Sequence, residues 1–141
     1  MNKKKFWIAF VVIFVVLEIT SFIIHGAILS STYQSEGIKE IFRGMEEMES
    51  KMWIMWLTDL IWAFFFTFIF VKGYENKGIM EGVKFGIYMG IFVSLVFSYQ
   101  SYVVYPLPYS LVFQWFIYGL LQCVILGILA AIIYKPQSAS S

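Results

Sequence analysis

Three ionisable side chains, Glu18, His25 and Asp59, lie inside segments that are otherwise apolar enough to cross a membrane. A charged side chain at the centre of a bilayer costs about 2.5–3.5 kcal/mol on insertion scales, so such residues are rare and often functional. Glu18, Ser21 and His25 are spaced by three and four residues, which places them on one face of a helix. Such a face could bind or relay a proton, bind a cation, or form hydrogen bonds between helices.

Polar residues in the other apolar segments extend this set. Counting helix rise from the predicted outer boundaries puts Glu18 about 16 Å and Asp59 about 12 Å below the membrane surface. The other members fall in the same outer half of the bilayer, down to its midplane. The candidate polar pocket comprises Glu18, Ser21, His25, Asp59, Ser98, Gln100, Gln114 and Gln122. If these side chains all turn inward, they line a pocket that opens to the outer surface.

Four interpretations of these residues stay open. The first is that Glu18 and Asp59 are protonated or hydrogen-bonded to Gln122 and Ser21, and so join helices. The second is a proton- or cation-binding role in which one carboxyl titrates and His25 relays protons outward. A metal site of Glu18, His25 and Asp59 would accept zinc, manganese or iron, although a single histidine is a weak signal. The fourth is contact with a partner protein.

Motifs for catalysis are absent from the sequence. It contains neither HExxH nor GxSxG, and its one histidine cannot form the bis-histidine pair that would ligate haem. We therefore predict no catalytic residue and no cofactor, and nothing in the sequence favours an enzyme.

The composition indicates a membrane protein. Of 141 residues, 60% are hydrophobic and 13% are charged, whereas a soluble domain carries about 25% charged residues. A chain this short has too little interior to bury so much apolar surface, so most of it must face lipid. No basic patch lies outside the membrane flanks, which excludes a nucleic-acid partner. A lone cysteine excludes a disulfide framework.

Four apolar segments reach the length of about 20 residues that a membrane-spanning helix needs. They cover approximately residues 6–29, 52–71, 79–104 and 109–134. We expect the first to be retained, because it is longer than the 7–15 apolar residues or so of a signal peptide. Short connections at 72–78 and 105–108 join the last three segments as hairpins.

Lysine and arginine residues are distributed unequally between the two predicted sides of the membrane. With the N-terminus inside, the inner side carries seven of them and the outer side three. The inner set is Lys3, Lys4, Lys5, Lys72, Lys77, Lys84 and Lys135, and the outer set is Lys39, Arg43 and Lys51. The positive-inside rule therefore predicts that both termini are cytoplasmic.

The first outer loop has a helical pattern of its own over about residues 36–50. Apolar residues recur there at spacings of three and four, with charged residues between them. Ser35 is a plausible N-cap. This pattern predicts a short amphipathic helix that lies on the outer membrane face and runs into the second span; the alternative is a lid or a docking site for a partner.

Small residues recur at every fourth position in the last two spans. The third carries Gly82, Gly86 and Gly90, continued by two serines, and the fourth carries Gly119, Cys123 and Gly127. Such ridges let two helix backbones approach closely in lipid. We predict that the two spans pack on each other within one chain, with Cys123 as a small ridge residue; homodimerisation through one ridge is the alternative.

Three stretches of the chain resemble a known group of proteins. They are IHGAILSSTYQ at the end of the first span, the MEEM that follows, and PLPYSLVFQWFIYG at the start of the fourth. Together they resemble small four-span bacterial integral membrane proteins of unknown function. The resemblance implies a bacterial inner-membrane protein with four spans, and it implies no activity.

We therefore predict an all-α, integral membrane four-helix bundle that forms one domain over residues 1–141, with the interfacial helix in its first outer loop. The expected function is that of a structural or accessory membrane component that packs against itself or a larger membrane complex. The alternative is a proton- or cation-coupled small-solute transporter or binding protein that uses the outward-facing polar pocket. The lipid bilayer is the one partner expected in either case.

Overall fold

The computed structural model describes residues 1–136, and residues 137–141 of the predicted domain lie outside that part of the chain. The described chain is all-helical and confirms the predicted fold class. Four helices are long and apolar enough to cross a membrane, which makes this a multi-pass membrane protein by length and composition. We call them spans one to four: Lys3–Ile28, Met45–Lys72, Ile79–Val104 and Tyr109–Tyr134.

Two of the spans contain π-helical turns. Span one ends in a π-helix at Phe22–Ile28, and span three is interrupted by one at Ile91–Leu95. Such turns insert an extra residue into the helix and change which side chains face a neighbour. The direction of a side chain beyond these points therefore cannot be extrapolated from the regular helix before them.

Local hydrogen bonds define the end of the bundle at which span one begins and span four ends, which we call the termini end. The Asn2 side chain caps span one by accepting the Lys5 N–H at 3.1 Å. The Glu81 carboxylate accepts the backbone N–H groups of Glu75 and Lys77 at 2.5 and 2.8 Å. Glu81 thus closes the turn between spans two and three and holds them as an antiparallel hairpin.

The opposite end, which we call the loop end, corrects one prediction. The predicted interfacial helix over about 36–50 is formed only in part: residues 34–42 make turns and bends, and the helix that continues into span two begins at Met45. The break has a physical cause, since Gly37 has a φ of 81°, outside the helical region. Between span one and Gly37 the chain forms a single helical turn at Ser30–Tyr33.

Spans three and four form the closest pair in the bundle, through the small residues of both ridges. Glycines 82, 86 and 90 are buried on span three, and Cys123 and Gly127 are buried on span four. A Cβ atom added to Gly86 would lie 2.5 Å from the carbonyl oxygen of Cys123. A Cβ on Gly119 would press into Ser94 in the same way. The ridges of one chain therefore pack against each other without a second copy.

The main core lies in the half of the bundle nearer the termini. Its buried side chains come from spans one, two and four, and Phe85 of span three packs against them. Phe66 is 1% exposed, with its ring centroid 4.8 Å from that of Phe85. The Asn2 N–H donates to the Tyr134 hydroxyl at 2.9 Å and ties the start of the chain to span four.

A second, smaller cluster lies at the loop end. It buries Ile24, Leu29, Leu107, Leu111 and Val112 between span one, the first loop and the start of span four. Span two contributes nothing to it. The two clusters together leave span two packed along only part of its length.

Span two has no buried residue in its loop-end half. Its first buried residue is Ala63, and none of the residues 45–62 is buried. The apolar residues in this stretch are exposed on several sides of the helix, among them Trp53, Met55 and Trp56. We call residues 45–62 the open segment.

Candidate functional site

The carboxyl groups of Glu18 and Asp59 meet between spans one and two. They lie within hydrogen-bonding reach of each other. One Glu18 oxygen, Oε1, is shielded from the surface and has no hydrogen-bond donor. An ionised carboxylate can only accept hydrogen bonds, so this contact becomes a bond when one of the two groups carries a proton.

No basic side chain offsets this pair. Within residues 1–136, the ion pairs join Arg43 and Lys51 to Glu47, and Lys77 to Glu75, all near the ends of the bundle. Two ionised carboxylates in contact would repel each other in a medium of low dielectric constant. The arrangement therefore suits a shared proton or a bound cation between spans one and two.

Gln122 of span four makes the polar contact with span one. Its amide nitrogen lies 2.6 Å from the Thr20 hydroxyl and 3.1 Å from the Ser21 hydroxyl. It lies 3.3 Å from the Leu17 carbonyl oxygen as well. Thr20 donates its own proton to the Val16 carbonyl at 2.7 Å, so its oxygen is free to accept from Gln122. These bonds join spans one and four through side-chain groups inside the bundle.

His25 belongs to a different cluster, at the loop end. Its Nδ1 atom lies 2.7 Å from the Tyr33 hydroxyl oxygen, which accepts the Trp115 indole N–H at 2.7 Å. Phe42 packs edge-on against both the Tyr33 and the Trp115 rings. The cluster fastens the first loop to the start of span four.

The pKa of the Tyr33 phenol is affected by this burial. Loss of solvent raises it above the ordinary value of 10.0, and the hydrogen bond from Trp115 opposes the rise in part. Tyr33 therefore stays neutral through the physiological range. Its contribution to stability is complete below pH 10.0 and is lost as the pH rises through the higher value of the folded protein.

The remaining predicted residues do not join these contacts. Ser98 is 1% exposed on span three, and Gln114 is half-buried on span four. Gln100 is exposed and lies on an open surface of span three together with five neighbours. Those neighbours are Leu95, Val96, Tyr99, Val103 and Val104. The structure thus brings Glu18 to Asp59 and Ser21 to Gln122, and it places His25 and Gln100 elsewhere.

Sequence reasoning missed three residues of these clusters. Thr20 precedes Ser21 in an apolar segment, and that polar pair was a usable signal. Tyr33 and Trp115 are 82 positions apart, and nothing in their local sequence indicates that they meet. The contact between Tyr33 and Trp115 depends on how the first loop folds back over span four.

No family model, curated protein or solved structure matches this chain. The resemblance to four-span bacterial proteins therefore stays a prediction. Within residues 1–136, no group of three or more His, Cys, Asp or Glu side chains is placed to hold a metal ion.

Proposed function

We propose that this chain is a small accessory component of a bacterial inner membrane, with both termini in the cytoplasm, that packs against a second copy or a larger membrane complex. The observation that carries the proposal is the open segment, the part of a membrane-length helix in which the rest of the chain buries no residue. The seven-to-three distribution of basic residues supports the orientation.

The composition of the open segment supports a protein partner. Trp53 and Trp56 are 61% and 53% exposed, and large aromatic side chains are frequent at the centres of protein interfaces. Asp59 is only half-buried inside an apolar segment, where contact with lipid is costly. A partner helix laid along this segment would cover the indole rings and the exposed side of Asp59 together.

The other polar contacts agree with a structural role. Gln122 bonds to Thr20 and Ser21, and Trp115 bonds to Tyr33, so each of these groups joins two parts of the chain. Hydrogen bonds of this kind stabilise helix contacts in membranes by about 0.6 kcal/mol on average. They supply stability to the bundle, whereas Trp53 and Trp56 of the open segment are exposed and belong to neither buried cluster.

Extraction from native membranes in mild detergent tests the proposal. We expect the chain to migrate as a complex larger than its own 16.4 kDa plus detergent. Replacing Trp53 and Trp56 together by alanine should dissociate that complex, because the substitutions remove the two exposed rings that the partner would cover. Both rings lie outside the core of the chain. Helix content and thermal stability of the released chain should be unchanged.

A matched control uses the same helix. Phe65 and Ile69 are similarly exposed, at 53% and 47%. They lie in the part of span two from Ala63 to Lys72, which contains its buried residues and which we call the packed half. Their double alanine variant should keep the complex. Recovery of the wild-type chain as a monomer, or equal loss of the complex in both double variants, would contradict the proposal.

One observation favours a second function, a proton- or cation-coupled transporter or binding protein. It is the contact between Glu18 and Asp59, since intramembrane carboxyls often mark ion pathways. In liposomes, this function requires a pH-dependent flux that Glu18→Gln or Asp59→Asn abolishes. Absence of a flux, or a flux that survives both substitutions, would exclude it.

A further inference from the structure

The carboxyl contact lies at the boundary between the open segment and the buried part of span two. Asp59 precedes Ala63, the first buried residue of span two, by one helical turn. Glu18 directly follows Leu17, the last residue that span one contributes to the main core. On one side of this contact the two spans are packed, and on the other side span two is open.

We propose that a single proton shared by Glu18 and Asp59 holds the open segment close to span one, and that loss of this proton lets the segment move away. With the proton present, one carboxyl donates to the other and the spans are joined. When the proton passes to water, two carboxylates remain in contact and repel each other. The inference concerns this chain alone and does not depend on a partner.

The surrounding elements hold no charge that would replace the proton. On span one the nearest titratable side chain is His25, two turns away and bonded to Tyr33. Span four presents the neutral Gln122 and the buried Cys123. Span three has no charged residue after Lys84. On span two itself, Lys51 lies two turns from Asp59 and bonds to Glu47 at 3.4 Å.

Loss of the contact between Glu18 and Asp59 would free the open segment to move. Because none of the residues 45–62 is buried, few packing contacts of the open segment would resist a displacement. The residues beyond Ala63 are held by the main core and by the closed turn at Glu81. Movement is therefore expected in one half of a single helix, with its hinge near Asp59.

Distances between spin labels test the movement. Phe22→Cys and Trp56→Cys place labels on exposed positions, each about one turn from the carboxyl contact towards the loop end. The background carries Cys123→Ala, which removes the only other thiol. In lipid nanodiscs, we expect the label distance to lengthen or broaden when the pH is raised from mildly acidic to alkaline.

Two controls separate this effect from general loosening. The combined Glu18→Gln and Asp59→Asn substitutions keep the shape of both side chains but cannot lose the proton, so the distance should not depend on pH. Labels at Ile8→Cys and Ile69→Cys, which report on the packed half, should not move. A pH-independent distance in the labelled chain with both carboxyls present, or an equal change in the amide variant, would overturn the proposal.

Carbodiimide labelling tests the proton without any added cysteine. A lipid-soluble carbodiimide such as dicyclohexylcarbodiimide reacts with a protonated carboxyl: the acid proton moves to nitrogen and the carboxyl oxygen bonds to the central carbon. In acidic vesicles, intact mass should show an adduct on the wild-type chain that maps to Glu18 or Asp59. It should be lost in the double amide variant. A wild-type chain with no adduct on either residue would refute the shared proton.

Discussion

The two halves of span two differ in their packing although both carry large apolar side chains. In the half beyond Ala63, Phe66 is buried and meets Phe85 with ring centroids 4.8 Å apart. In the open segment, Trp53 and Trp56 are more than half exposed. Hydrophobicity therefore does not determine which half packs, because lipid solvates apolar side chains as well as a core does. The difference in packing arises because side chains of spans one, three and four bury residues of span two only from Ala63 onward.

The largest expected effect tests the tightest packing, between spans three and four. Gly86→Val should prevent folding, because even a Cβ there would lie 2.5 Å from the Cys123 carbonyl oxygen and the Val124 Cα. Both are backbone atoms and cannot rotate away. Gly44→Ala is the control, since a Cβ on Gly44 has no neighbour within 4 Å. Yield of monodisperse protein and helix content measure the outcome, and a folded Gly86→Val chain would show that the ridges do not touch.

A second prediction compares one aromatic residue from each half of span two. Phe66→Ala should destabilise the chain by about 3 kcal/mol, the low end of the range for a buried Phe. The low end applies because an apolar side chain gains less free energy on moving from lipid into the core than from water. Trp56→Ala should change the stability of the isolated chain by less than about 0.5 kcal/mol. Unfolding by sodium dodecyl sulfate in mixed micelles measures both. Similar costs at the two positions would mean that the open segment is packed within the chain.

The bond between spans one and four has a smaller expected effect. Gln122→Leu should cost about 0.6–1.7 kcal/mol, the range for hydrogen bonds between membrane helices. The amide contacts Thr20 at 2.6 Å, so Thr20→Val should cost less in the Gln122→Leu background than alone. A double-mutant cycle gives the coupling energy. Strict additivity of the two substitutions would argue against this contact.

The smallest expected effect is local to the first loop. Tyr33→Phe removes the acceptor of the Trp115 indole N–H and the bond to His25, and should cost about 1 kcal/mol. The four spans should remain folded. Hydrogen exchange of residues 30–44 should quicken, while exchange in the packed half of span two should not change. Faster exchange throughout the chain would show that the loop supports the whole bundle.

Composition and pattern predicted the coarse fold. Hydropathy and length were enough for four membrane-length helices, and the glycine spacing of spans three and four indicated where backbones meet. The first loop was harder, because its apolar spacing favours a helix although Gly37 takes a positive φ. Local propensity could not show that break.

The candidate site was predictable only in part. Depth counting placed Glu18 and Asp59 at similar levels, and the structure brings them into contact. The depth of a residue does not show which way its side chain points, however. Gln100 lies at a suitable depth but is exposed on an open surface of span three. The π-helical turns of spans one and three alter the facing of residues beyond them. The pairing of His25 with Tyr33 depends on the fold of the loop.

Site-specific photo-crosslinking along span two in native membranes tests the central claim most directly. A benzophenone amino acid would replace Trp53, Met55 or Trp56 in the open segment, and Phe65 or Ile69 in the packed half; all five are exposed in the single chain. We predict protein adducts of one discrete mass at open-segment positions, and lipid adducts at the other two. Lipid adducts alone at all five positions would contradict the account.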